Sequence, residues 1–114
     1  MFAFRVLLGA IFATVVVYTS VVIANHGMGL LPVFFGDIAK MGWPGQFNTD
    51  FSGFLVLSAF WLAWRHHFSP FGLTLGLVGL FGGVPLLTTY LFVASFAVNG
   101  DVNALLLGPS RVRA

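Results

Sequence analysis

The sequence predicts an all-α integral membrane bundle of three transmembrane helices with a long interfacial first loop. Three observations carry this. Only 7% of the 114 residues are charged while 59% are hydrophobic, against about 25% charged in soluble domains. The apolar residues fall into three long runs. Those runs are apolar on every side, which suits lipid and excludes the apolar–polar alternation of a membrane β-barrel. The length allows one domain, 1–114, with helices expected at about 2–24, 47–66 and 70–98, an interfacial loop at 25–46 and a tail at 99–114.

The first run, Phe2 to Ala24, carries one charge, Arg5, and as a helix is long enough to cross about 30 Å of hydrocarbon. A cleaved signal peptide is the competing reading, since Arg5 gives a positive start and Val22 with Ala24 are small enough for a cleavage site. The run exceeds the usual apolar stretch of such peptides, which favours a retained helix. From Asn25 to Pro44 the pattern breaks at Asn25-His26-Gly27, Pro32, Gly36-Asp37 and Met41-Gly42-Trp43-Pro44. The middle of this connection, Leu30 to Phe35, is apolar and is expected in the headgroup region or folded back onto the bundle. Trp43 then anchors the interface.

Helix two is expected to begin near Phe47-Asn48-Thr49-Asp50, whose side chains offer acceptors to unpaired backbone N–H groups. It continues through Phe51–Trp64 to Arg65-His66-His67, with Trp61, Trp64 and Arg65 as interface anchors. Ser69 is a candidate N-cap, with Pro70 at the first helical position. Helix three, Phe71 to Val98, contains Gly82, Gly83 and Pro85 at its middle, where a kink is expected. Val102 to Leu107 is expected to rest on the membrane surface, with Arg111 and Arg113 beyond it.

Small residues mark the helix faces. Gly72, Gly76, Gly79 and Gly83 form a stripe at i, i+4, i+7, i+11. Helix one has a looser set in Gly9, Ala13, Ser20 and Ala24, and helix two has Ser52, Ala59 and Ala63. In lipid such stripes permit the close backbone approach that drives helices together. Two uses are open: packing within the chain, or docking of a partner subunit or second copy on helix three. Asp50, with Phe47, Phe51 and Phe54 around it, is either a cap at a helix N-terminus or a proton- or cation-handling carboxylate.

Several function classes are set aside. The pI of about 9.7 comes from a net charge of only +2, with Arg5, Lys40, Arg65, Arg111 and Arg113 scattered, so no nucleic-acid patch forms. Without cysteine or glutamate there is no thiolate or iron–sulfur chemistry. No HExxH, GxSxG or phosphate-cradling loop appears. Adjacent His66 and His67 point about 100° apart on a helix and do not clamp a metal. No enzyme, cofactor or metal site is expected.

The length suggests small four-helix multidrug exporters, but the membrane Glu those depend on is missing here. A closer resemblance runs through Asp50-Phe51-Ser52-Gly53-Phe54, Trp61-Leu62-Ala63-Trp64-Arg65 and the Gly-rich helix ending Tyr90-Leu91-Phe92. Over about half its length the chain resembles an uncharacterised family of small bacterial membrane proteins with three spans. The resemblance implies that architecture and no activity.

The sequence thus points to a non-enzymatic protein of the bacterial inner membrane. It acts either as an accessory subunit of a larger, energy-transducing assembly or as a homo-oligomer. The alternatives are a transport or proton-coupled component using Asp50, and a lipid- or quinone-binding module. The positive-inside rule is nearly balanced; the acidic first connection and the leading first helix favour N-terminus inside and C-terminus outside.

Overall fold

The computed structural model describes residues 1–112, so the expectation for Arg113 lies outside the described residues. Among the described residues there are five α-helices, α1 (Phe2–His26), α2 (Leu30–Ala39), α3 (Trp43–Arg65), α4 (Pro70–Ala97) and α5 (Val102–Leu107), followed by a 3₁₀ turn at Pro109–Arg111. Two of them, α1 and α4, are long and apolar enough to cross a membrane by length and composition. The described residues contain no strand. α3 has 23 residues, and its first turns carry Gln46, Asn48, Thr49 and Asp50.

The connection expected as a loop over 25–46 is mostly helical. α1 runs on to His26, α2 fills Leu30–Ala39 and α3 starts at Trp43 rather than near Phe47. Two prolines misled the sequence reading. Pro32 is the third residue of α2 and Pro44 the second of α3. Both lie in a first turn, where backbone N–H groups have no intrahelical partner and proline removes nothing. Of the two placements expected for this segment, α2 folds back onto the bundle. Asn48 Nδ2 donates to the Phe34 carbonyl at 3.1 Å, and a Cβ on Gly45 would overlap the backbone of Asp37 and Ile38.

α4 is not one rod but a hairpin. His66 stacks edge-on to Phe71 with centroids 5.0 Å apart, while its Nε2 lies 2.6 Å from the Tyr90 hydroxyl. In a straight helix residues 71 and 90 would stand about 28 Å apart, so the chain must turn back between them. The reversal sits at Gly83, whose φ of 63° and ψ of −146° belong to a region essentially reserved for glycine. Next to it, a Cβ on Gly82 would come within 2.9 Å of the Leu86 Cβ, and Pro85 supplies a fixed φ with no N–H. The expected kink is thus a full reversal between two arms, 70–82 and 84–97, each about 20 Å long.

The arms have different partners. The first runs antiparallel to α3: a Cβ on Gly72 would lie 2.7 Å from the His66 Cβ, and one on Gly76 2.8 Å from the Ala59 carbonyl oxygen. One on Gly79 would lie 2.8 Å from Leu62 Cδ1. The second arm runs antiparallel to α1, where Arg5 Nε donates to Ser95 Oγ at 2.9 Å and Leu8, Gly9 and Phe12 face Thr88, Thr89 and Phe92. Met1 and Val112 pack on one cluster around Ala94, Val98, Ala104 and Leu105. Met1 and Val112 therefore share one end of the molecule, where opposite ends were expected for the start and the tail, because the hairpin returns the chain to the side it left.

Candidate functional site

The site is built at the end where α3 stops and α5 begins. α5 has only six residues, so most of its carbonyls lack an intrahelical partner. Its last four are met from outside or by the next turn. Arg65 Nε donates to the Leu105 carbonyl at 2.8 Å and Nη2 to that of Ala104 at 3.3 Å. Trp61 Nε1 donates to Leu106 at 2.9 Å, and Arg111 Nη1 to Leu107 at 3.3 Å. Asp101 caps the other end of α5, accepting from the backbone of Asn103 at 3.0 Å and Ala104 at 3.4 Å. Trp61 and Arg65 are four residues apart and so project from one face of α3.

Arg65 is buried at 7% exposure, which corrects its expected place as an interface anchor at a solvated helix end. Its Nη1 also donates to the Tyr90 hydroxyl at 2.7 Å. Among the described residues its partners are all neutral, and carbonyl dipoles at a helix C-terminus face the charge where a carboxylate would ordinarily stand. Trp61 and Trp64 are half-buried, Trp61 on α5 and Trp64 beneath the Arg111 guanidinium at 3.9 Å. Only Trp43, 74% exposed near the opposite end, stands free of the bundle. α5, expected on the membrane surface, is bolted to α3. The i, i+4 spacing of Trp61 and Arg65 was the available sequence signal for this clamp.

His66, just past the end of α3, bonds to Tyr90. Burial first, then the neighbouring positive groups Arg65 and His67, hold its pKa below the usual histidine value. His67 Nε2 meets the Ser110 hydroxyl, and its Nδ1 lies 3.1 Å from Arg111 Nη2.

Beside this cluster opens a groove of about 710 Å³. Phe51, Leu55, Ser58 and Trp61 of α3 form one wall and Val84, Leu87 and Leu91 of the second arm the other. Leu105 and Leu106 of α5, with Phe4, close its end. The groove exists because glycines draw the first arm tight onto α3, while the second arm is committed to α1 and stands off. Arg5, Arg65, Arg111 and the Met1 amine all belong to this closed end, joined by Asp101. Lys40 and Asp37 lie toward the other end, on α2. The arrangement is an apolar groove with basic residues beyond its closed end.

The remaining candidates fall elsewhere. Gly72, Gly76 and Gly79 are buried against α3, so of the two uses open for the stripe it is filled within the chain. Gly83 leaves the stripe to form the hairpin tip, where Phe51 and Leu55 lie 3.7–3.8 Å from its modest Cβ space. Asp50 is exposed and is the eighth residue of α3, whose N-cap is Gly42, so it does not cap the helix as one reading expected. No family model, curated protein or solved structure matches the chain.

Proposed function

We propose that the chain is a non-enzymatic integral protein of the bacterial inner membrane, with two crossing helices and a re-entrant hairpin in place of the three spans that its resemblance implies, and that it works by holding a lipid-derived chain in the groove. α1 and α3 cross the bilayer, while the α4 hairpin enters from the Arg-rich end and returns, giving a third membrane-embedded element. Irregular backbone at membrane depth is tolerated where protein or a cavity surrounds it, and the Gly82–Pro85 tip is flanked by Phe51 and Leu55. The positive-inside rule assigns the end carrying Arg5, Arg65 and Arg111 to the cytoplasm.

The observation that supports lipid holding is the groove, whose walls are apolar apart from Ser58 and the occupied Trp61 N–H. Protein extracted in mild detergent is expected to carry about one lipid-derived molecule per chain, read by native mass spectrometry. Its absence, with the fold intact, would overturn the reading.

A second reading is that α1 docks a partner subunit or another copy. It is favoured by the exposure of α1: Leu8 is its one buried residue, and Val17, Tyr18 and Val21 are 63%, 73% and 54% exposed. Substituting Val17 and Val21 by Lys should then shrink the native complex. An unchanged size would remove this reading. The Asp50-based transport alternative draws no support from a carboxylate that is exposed and away from the groove's closed end.

A further inference from the structure

Resting on the lipid-holding reading, we infer that the occupant is an anionic phospholipid, with one acyl chain along the groove and its phosphate beside Arg111. The groove follows the second arm from Gly83 to Leu91 and ends at Leu105 and Leu106. That stretch of helix rises about 12 Å, comparable with one leaflet's share, about 15 Å, of the hydrocarbon core. A single chain from one leaflet fits this length.

Charge selects the headgroup. Arg111 lies beyond the groove's end, where its Nη1 bonds the carbonyl of Leu107, the residue after Leu106, at 3.3 Å and its guanidinium stacks on Trp64. The guanidinium is half-exposed, and its bonds to Leu107 and His67 leave further N–H donors free of its five. Arg65 adds buried positive charge behind it. Across the groove's end Phe4 brings the Met1 amine and Arg5, the latter bonded to Ser95 and stacked on Phe96 at 3.7 Å. Among the described residues the acidic side chain at this end, Asp101, is turned to the α5 backbone. A quinone ring fits less well, because its two carbonyls call for two donors and the walls offer the Ser58 hydroxyl alone, the Trp61 N–H being already used.

The test is native mass spectrometry of the full chain released from vesicles of equal phosphatidylglycerol and phosphatidylcholine. Preferential retention of one phosphatidylglycerol is expected. Arg111→Gln should cut that preference about five-fold, the factor matching about 1 kcal/mol per basic residue near an anionic surface, and Arg111→Lys should keep most of it. Leu87→Trp, or Val84→Phe if the first fails to fold, should lower retention of both lipids by filling the groove. Equal retention of the two lipids, or an unaltered preference in Arg111→Gln, overturns the headgroup assignment. The groove reading survives that result as long as the filling variants still lose lipid. If the filling variants retain lipid as the native chain does, both readings fall.

Discussion

Arg65 illustrates how one side chain ties three elements together. It belongs to α3, bonds two carbonyls of α5 and reaches Tyr90 on the second arm of α4. Arg65→Gln leaves buried carbonyls short of donors and is expected to cost about 2–4 kcal/mol, the range for losing charge-assisted bonds and stranding their partners. The readout is thermal unfolding in mild detergent, together with faster tryptic cleavage at Arg111 as α5 loosens. Arg65→Lys should recover less than half, since an ammonium lacks the planar fork that reaches all three acceptors. Unchanged unfolding in both variants would refute the clamp. His66 supplies a pH dependence. Its folded pKa is depressed, so the unfolded chain binds the proton more readily. Stability should therefore be full above the ordinary histidine pKa of 6.5 and fall as pH drops through it, levelling off below the folded value. His66→Gln should flatten that slope in unfolding measured between pH 7.5 and 5.5.

Among the elements, α4 departs furthest from a simple membrane helix, and its glycines have separable roles. At Gly76 a methyl would press to 2.8 Å from the Ala59 carbonyl oxygen, a backbone atom that cannot swing aside. Gly76→Ala is thus expected to destabilise by about 1–3 kcal/mol. At Gly53, inside α3 with nothing within 4 Å, the same change should gain about 0.5–1 kcal/mol from helix propensity. Opposite signs in one unfolding assay would separate packing from propensity, and equal signs would contradict the arm–α3 contact. The glycine spacing made that contact legible in the sequence, as Gly82-Gly83-Pro85 made a break legible. What spacing could not reveal was the size of the break. A kink and a reversal share the same residues, and only the wide tolerance of Gly83 combined with the Tyr90–His66 bond selects the reversal. The groove was illegible for the same reason, since it lies between α3 and an arm whose return no local pattern encodes. Arg65 was misplaced because a basic residue at a helix end reads as solvated unless the acceptors covering it, forty residues onward, are known.

At the scale of the whole molecule the hairpin decides topology. A straight α4 would put the segment before it and the segment after it on opposite faces of the membrane. Folded back, it leaves Ser69 and Asn99 at the same end of the bundle, together with Met1 and Ser110, while Met28 and Met41 lie toward the far end of α1 and α3. The chain contains no cysteine, so single cysteines introduced at His67, Asn99, Met28 and Met41 can each be probed without background. An impermeant thiol reagent applied to right-side-out cells should label Met28→Cys and Met41→Cys. On the proposed orientation, with the arginine-rich end in the cytoplasm, it should leave His67→Cys and Asn99→Cys untouched until the membrane is opened. Labelling of His67→Cys and Asn99→Cys from opposite faces would mean that α4 crosses after all, and with it the groove along its second arm would lose its wall. Joint labelling of both from outside would keep the hairpin and invert only the orientation.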